Sequence, residues 1–529
     1  MQLRNRWITF EPEGPLACCQ GFNVAEPFID RHLVEGRGNK VAIRSVEGDV
    51  SYAELAGGVN RCANLLTALA IPRGERILMI IKDCPAFFYV FWGAIKAGII
   101  PVPLNTLFRA KDFAFLIDNS ECRAVIYSSE YAAEVEPALE QSAWRPGHQL
   151  TVDGHPDSFL AQLPQHSDQF AAVPASATDE CFWLYSSGST GRPKGAVHLH
   201  RDMVISSELY GVRTLGVRED DVCFSAAKLF FAYGLGNGMT FPLWVGATTS
   251  LLAIRPTPES TFEAIRRFRP TLFFGVPTLY ASLLQAMAEG DLSPDLSSIR
   301  LGISAGEALP AALFHQWRER TGLTILDGLG STELLHIYVS NRVDGLKAGS
   351  SGRPVPGYEA RILDDYGHEL ATNQPGRLFV KGLSSAKYYW RNPEKTENTM
   401  VGEWLNTGDV YYRDDDGYYF YCGRSDDMLK IGGIWCSPLE IESTLKNHPR
   451  VQDVAVVARP DHQGLIKPEA WVVLIRNCQS TGELEQDLLQ HCKHNLAPYK
   501  YPRKIHFVKD LPKTETGKVM RFALRGASG

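Results

Sequence analysis

A short apolar run, Phe182-Trp183-Leu184, leads straight into Tyr185-Ser186-Ser187-Gly188-Ser189-Thr190-Gly191-Arg192-Pro193-Lys194-Gly195. Few folds have a use for such a segment. Its glycines let backbone come close to an oxyanion, while the hydroxyls, the amides and Lys194 supply donors and charge. A plain surface loop would need neither the apolar strand before it nor the Pro-Lys-Gly behind it. Pro193 separates the last loop glycine from the lysine, so the spacing is not that of a Walker loop.

The chain around it has 529 residues, more than one ordinary core takes up. From about residue 45 to 340, β-rich runs alternate with helical patterns. Arg76–Ile81, Cys122–Tyr127, Thr271–Gly275 and Leu323–Leu326 read as strands, Phe262–Phe268 and Ala311–Arg320 as helices. Such alternation predicts α/β layers with largely parallel sheets. Residues 161–180 are polar and rich in Pro, Ala and Ser, and read as a loop before a strong strand. Beyond Gly423 the texture changes. A helix (Pro438–Lys446), two strands (Val454–Ala458, Ala470–Ile475), a helix (Gly482–Leu496) and a basic, Pro-punctuated tail follow. The expected architecture is α/β: a large multi-sheet N-terminal domain of α/β layers (1–424) and a small mobile α+β C-terminal domain (425–529), joined at Gly423-Arg424-Ser425-Asp426-Asp427.

A net charge of −6 gives no global basic field, so neither nucleic acid nor an anionic membrane is an expected partner, and phosphate binding must be local. No apolar run follows Arg4 and Arg6 as in a secretory signal. The most apolar stretch, Ala86–Leu104, is broken by Gly93, Lys96, Gly98, Pro101 and Pro103, and reads as a buried helix and turn rather than a membrane span. Eleven cysteines without CxxC spacing point to neither zinc nor a disulfide framework, and a reducing cytoplasm is the default.

The Tyr185–Gly195 segment closely resembles the phosphate-binding loop of adenylate-forming enzymes, the acyl- and aryl-CoA synthetases and their kin. The resemblance continues, in the family's order, over nearly the whole chain. It takes in Ser304-Ala305-Gly306-Glu307-Ala308, Asp327-Gly328-Leu329-Gly330-Ser331-Thr332-Glu333, Trp404-Leu405-Asn406-Thr407-Gly408-Asp409, Arg424 and Pro512-Lys513-Thr514-Glu515-Thr516-Gly517-Lys518.

The resemblance implies an acid–thiol ligase that uses ATP and Mg²⁺ to make an acyl-adenylate and then transfers the acyl group to coenzyme A. By the same correspondence, Ser186, Ser187, Gly188, Ser189, Thr190, Gly191 and Lys194 would cradle phosphate. Gly306, Glu307, Ala308, Asp327, Gly328, Leu329 and Thr332 would flank the adenine and phosphates, with leucine at 329 where most members carry tyrosine. Glu333 would hold Mg²⁺, a hard cation that prefers oxygen ligands. Asp409 would grip the ribose hydroxyls and Arg424 would assist. Lys518, with Thr190, Lys194 and Glu333, would carry catalysis, its ammonium offsetting the repulsion between carboxylate and triphosphate. Asp426 would be the hinge of the small domain, and Lys430, Gly432 and Gly433 would line the path of CoA.

Phe231, Ala232 and Tyr233 match one wall of the acid pocket in aryl–CoA ligases. Gly328, Gly330, Leu335 and His336 match the other. Two aromatic rings facing glycines and a leucine suit a planar ring. The implied substrate is benzoate, as in benzoate–CoA ligases. The alternatives are 4-hydroxybenzoate or another acid, or a stand-alone adenylation enzyme that loads a carrier-protein thiol. The absence of an attached carrier region favours free CoA. His336 is expected to be a neutral pocket residue, since the attacking carboxylate needs no base. A homodimer is compatible with everything above.

Overall fold

The structure is a computed structural model that describes residues 8–9, 17–18, 23–187, 193–290, 294–425, 427–431, 434–460, 466–476, 478–496, 500–513 and 519–525. The chain divides into two compact units, Met1–Glu359 with Val380–Leu405, and Ala360–Phe379 with Asn406–Gly529.

The first unit is built on sheets. The largest has nine strands, with Arg353–Pro354, Ile337–Ser340, Ile325–Gly330, Leu301–Ala305, Leu272–Gly275, Val222–Ser225, Thr248–Ser250, Val41–Ser45 and Gly48–Ser51 side by side. Its interior pairs are parallel and its outer pairs antiparallel. Strands covered on both faces read as unbroken apolar runs, and Leu272-Phe273-Phe274-Gly275 is buried at every position. A second sheet, Ile100–Pro103, Arg76–Ile80, Ala124–Tyr127 and His148–Thr151, is wholly parallel. The third is antiparallel, with Pro193–Leu199 between Glu180–Ser187 and Tyr388–Tyr389. Local chemistry sets the helix starts. Ser51 and Glu54 close a reciprocal capping box at the head of Tyr52–Ala68, and Thr257 caps Pro258–Phe268.

Two sequence expectations shift. Ala86–Leu104 is not only a helix and turn, because after the helix Pro85–Lys96 the chain forms the strand Ile100–Pro103. That strand lies at a sheet edge, where two prolines without N–H groups are tolerated. The strand expected at Leu323–Leu326 instead runs Ile325–Gly330, so Asp327-Gly328-Leu329-Gly330 lies within the sheet rather than after it.

The second unit carries most of the strand Trp404–Arg413, paired antiparallel with Tyr419–Arg424, and a three-stranded sheet of Val451–Pro460, Ile466–Leu474 and Lys504–Phe507. Helices Pro438–Lys446 and Gly482–Asn495 pack on it through Ile441, Leu445, Leu484 and Leu488. Among the described residues no helix is long and apolar enough to cross a membrane.

Candidate active site

In the large sheet, Val222–Ser225, Leu272–Gly275, Leu301–Ala305 and Ile325–Gly330 are consecutive parallel neighbours. Three of the segments marked in the sequence leave their C-terminal ends: residues 228–233, Gly306–Ala308 and Ser331–Glu333. Open parallel sheets bind ligands at this edge, where the chain turns away and leaves a crevice. Gly306 has φ +89°, and among the described residues only Val276 comes near its missing side chain, so backbone conformation demands glycine there.

Thr332–Leu334 form one 3₁₀ turn, capped by Ser331 Oγ, which accepts from Leu334 N at 3.3 Å. All three carbonyls of the turn are occupied. His198 Nε2 lies 2.8 Å from Thr332 O, Ala386 N donates to Glu333 O at 2.8 Å, and Ser384 Oγ donates to Leu334 O at 2.8 Å. A carbonyl can only accept, so His198 Nε2 carries a proton. Its Nδ1 is 2.9 Å from Asp202 Oδ2, with both side chains fully buried. The backbone under Glu333 is therefore fixed from three directions.

The Glu333 carboxylate is held as firmly. Oε1 accepts from Tyr389 Oη at 2.6 Å and from Ser186 Oγ at 3.1 Å, and among the described residues no donor reaches Oε2. Lys194 lies opposite Ser186 in the strand ladder, with its Nζ 5.0 Å from the centre of the Tyr389 ring. Ser186, Lys194 and Glu333, named from three different motif positions, thus meet around one tyrosine. Gly188, Ser189, Thr190 and Gly191 lie outside the described residues, and Ser187 is described in its backbone alone. Asp327 is buried with Oδ1 unpartnered among the described residues, and burial pushes its carboxyl well above the usual range.

Phe231 heads the short helix Ala232–Leu235 and packs on Phe230 at 4.5 Å between ring centres. The Tyr233 hydroxyl donates towards Gly275 O (3.1 Å) and Ile303 O (3.3 Å), tying the ring to two neighbouring strands. Burial of that hydroxyl raises its pKa well above the ordinary phenol range. Opposite, Leu335 takes φ +68° and ψ −37°, a conformation that costs a non-glycine residue about 1–3 kcal/mol. This sharp turn brings buried Leu335 and His336 back beside the strand they have just left. His336 Nε2 is 3.2 Å from Tyr233 O, so the two walls are hydrogen-bonded to each other. Phe241 meets the imidazole edge-on at 4.5 Å, and burial lowers its pKa to about 3. The imidazole is neutral.

The glycines of this wall serve close packing. A side chain on Gly328 would meet Ile337 at 2.9 Å, one on Gly330 the carbonyl of His336 at 2.7 Å, and one on Gly236 the His336 ring at 2.3 Å. Lys228 is held by Leu252 O, Ile254 O and Asp83 beneath the wall.

In the second unit, Asp409 and Arg424 are cross-strand partners, with Arg424 Nη1 2.9 Å from both Asp409 Oδ1 and Thr407 O. Gly408, at φ +72°, allows that approach, since a side chain there would strike the guanidinium at 2.6 Å. Lys518, Asp426, Gly432 and Gly433 lie outside the described residues, and only the backbone of Lys430 is described. The flanks of Lys518 are anchored. Lys513 bridges Val519, Met520 N donates to Pro512 O at 2.8 Å, and Arg521 Nη2 lies 2.9 Å from both oxygens of buried Glu442. Asp427, beside the expected hinge, pairs with Arg525.

Sequence reasoning missed Tyr389, Ser384, His198 and Asp202. They lie outside the segments marked in the sequence; chain folding brings Tyr389, Ser384 and His198 to the Thr332–Leu334 turn, and Asp202 stands behind His198.

A carboxylate, a lysine and hydroxyls gathered at the carboxyl edge of a parallel sheet, with an α+β unit following in the chain, define an α/β enzyme built to handle phosphate. Comparison with known proteins makes the class specific. Residues 30–390 match the AMP-binding enzyme family and residues 440–518 match the AMP-binding enzyme C-terminal domain. The chain belongs to the AMP-binding enzyme family and is an adenylate-forming ligase. It is 48% identical to a benzoate–CoA ligase of Thauera aromatica, over 96% of each chain. It is 44% identical to a 4-hydroxybenzoate–CoA/benzoate–CoA ligase of Rhodopseudomonas palustris, over 95% of this chain and 94% of that one. The crystal structure of a benzoate CoA ligase from Burkholderia xenovorans superposes with TM-score 0.86 at 43% identity, covering 95% of this chain and all of that one. CoA-ligase activity implies ATP and coenzyme A as co-substrates.

Proposed function

We propose that this enzyme converts benzoate, ATP and coenzyme A into benzoyl-CoA, AMP and pyrophosphate by way of benzoyl-adenylate. The observation that carries the reading is the pair of walls tied together at His336 and Tyr233. One presents Phe231, Ala232 and Tyr233, and the other Leu335 and a neutral imidazole. The relatives named for benzoate support it.

In this reading a benzoate carboxylate attacks the α-phosphorus of ATP, forming the acyl–O–P bond as pyrophosphate leaves. Ser186, Lys194 and the loop from Ser187 to Gly191 orient the phosphates, and Lys518 offsets the charge gathered where the two anions meet. Asp409 and Arg424 hold the ribose, while Gly306, Glu307, Ala308, Asp327, Gly328, Leu329 and Thr332 frame the base and phosphates. The fixed backbone of the Thr332–Glu333 turn keeps Thr332 and Glu333 from relaxing as charge moves. The small domain then turns about Asp426, and the CoA thiolate, guided past Lys430, Gly432 and Gly433, attacks the carbonyl and displaces AMP.

Magnesium suits the site. Glu333 offers one carboxylate oxygen with no protein donor among the described residues, which fits a cation that takes its remaining ligands from phosphate and water. Held there, it would neutralise phosphate charge. A reducing cytoplasm is the compartment we assign from cysteine usage.

Measuring kcat/KM for benzoate, 4-hydroxybenzoate, 4-coumarate and octanoate, with thioester as the product followed, tests the assignment. Benzoate should lead, and each apolar carbon that fails to fit should cost about 1 kcal/mol. If 4-coumarate or octanoate is preferred, the pocket is longer than proposed and benzoate is the wrong substrate. 4-Hydroxybenzoate in first place would favour the second reading, supported by the R. palustris relative.

A further inference from the structure

Tyr389 stands where two charged groups of the site meet, yet it belongs to none of the recognised motifs. It is 3% exposed and lies opposite Ala196 on the edge strand of the antiparallel sheet, its backbone N–H donating to Thr396 Oγ1 at 3.0 Å. Its hydroxyl donates to Glu333 Oε1 at 2.6 Å, and its ring lies 5.0 Å from Lys194 Nζ.

Tyr127 reaches a nearby acid, Glu136, at 3.3 Å, but two other buried tyrosines of this unit use their hydroxyls on backbone. Tyr52 bonds Ala247 O, and Tyr280 bonds Phe273 O and Ile303 O, so each satisfies backbone within the core. Tyr389 instead donates to an acidic side chain across 56 residues of chain. A phenol O–H on a carboxylate at this distance is a short, charge-assisted bond. With Ser186 as second donor, both bonds fall on Oε1. A glutamate side chain has three rotatable bonds, and two donors from separate strands fix its plane and leave Oε2 facing away from them. The ring does a second thing, offering its negative face to the Lys194 ammonium.

We infer that Tyr389 is a positioning residue for the divalent cation that accompanies ATP: it fixes the Glu333 carboxylate with Oε2 presented to the metal, and its ring holds Lys194 alongside for phosphate. This rests on the assignment of Glu333 as the cation's ligand. Partners of a metal-bound carboxylate set its orientation, and their removal typically lowers metal affinity ten- to a hundredfold.

The test uses the full-length enzyme with α,β-methylene-ATP and Mn²⁺ as the probe, free Mn²⁺ being followed by electron paramagnetic resonance. Tyr389→Phe keeps the ring and loses only the hydroxyl. Its Kd for Mn²⁺ in the ternary complex should rise by about tenfold or more. Its affinity for the analogue in metal-free buffer should stay within about twofold, since the ring under Lys194 remains. Tyr389→Leu should weaken both. In steady state, Tyr389→Phe should raise the Mg²⁺ activation constant and leave KM for ATP nearly unchanged, a split that loose packing would not produce. Ser186→Ala, which removes the other donor, should raise the Mn²⁺ Kd in the same direction, and covers the case in which Tyr389→Phe does not fold. Glu333→Gln separates the two layers of the argument. If it abolishes Mn²⁺ binding while Tyr389→Phe and Ser186→Ala bind like wild type, Tyr389 only packs, and the inference is overturned. If Glu333→Gln itself binds Mn²⁺ normally, the ligand assignment falls and takes the inference with it.

Discussion

His336 offers a sharp test because burial, and not a charged neighbour, dominates its behaviour. The ring is 3% exposed, with Nε2 towards Tyr233 O, Nδ1 unpartnered among the described residues, and aromatic rings from Tyr210, Tyr233 and Phe241 around it. Its pKa is lowered to about 3, so the folded protein refuses a proton that the unfolded chain accepts below its ordinary value of 6.5. The sign follows from linkage: stability is full above pH 6.5 and is lost as pH falls towards 3. Between about pH 7.5 and about pH 5, a single such group should remove about 2 kcal/mol of stability. His32 and His200 are also buried with lowered pKa and add to the acid sensitivity of the same unit, so the measurement must be a difference. His336→Gln retains a donor for Tyr233 O but cannot ionise. Urea unfolding followed by tryptophan fluorescence at the two pH values should show wild type losing about 2 kcal/mol more than the variant. Equal losses would mean that His336 is solvated or charged in the folded state, and the dry pocket wall drawn here would be wrong. The catalytic pH profile supplies a second readout. Its acid limb should keep the same apparent pKa in the variant, while KM for benzoate rises.

Four further perturbations test other parts of the site. Gly330→Ala places a methyl group 2.7 Å from the backbone carbonyl of His336, which cannot move aside cheaply; it should cost about 1–3 kcal/mol in unfolding experiments and raise KM for benzoate. Arg521→Met leaves Glu442, 6% exposed, as an unpaired buried acid; chemical denaturation should show a loss of about 3–5 kcal/mol, largely restored when Glu442→Leu is added. Lys518→Ala should slow adenylate formation about a hundredfold or more and spare thioester formation from supplied benzoyl-adenylate; equal loss of both half-reactions refutes its assignment. Asp426→Pro fixes φ at the joint, so pyrophosphate release should continue while thioester formation falls; parallel changes in the two rates would rule out the hinge.

How far sequence reaches depends on the range of the interactions involved. Helix Pro438–Lys446 appears with its expected bounds because Pro at the start and apolar spacing at Leu439, Ile441 and Leu445 act within the segment itself. Buried parallel strands are equally plain, since cover on both faces leaves only apolar residues to use. Ser186, Lys194 and Glu333 were marked separately by their motifs, and the structure gathers them. Their common neighbour could not be marked. Tyr389 differs in no local way from Tyr388 beside it, and strand alternation alone turns one to Glu333 and the other to Glu180.

The strand Ile325–Gly330 shows the opposite error, a local signal that misleads. Asp-Gly-Leu-Gly is turn chemistry by composition, and a strand was expected to stop before it. The sheet continues because Ile337–Ser340 returns antiparallel and packs against the bare faces of Gly328 and Gly330, a partner invisible from within the segment. Only glycine admits that return. The turn needed to make it forces Leu335 to a positive φ, and the same turn sets His336 against Tyr233. The misread strand end and the pocket wall thus have one cause, which is why Gly330→Ala should disturb stability and benzoate binding together.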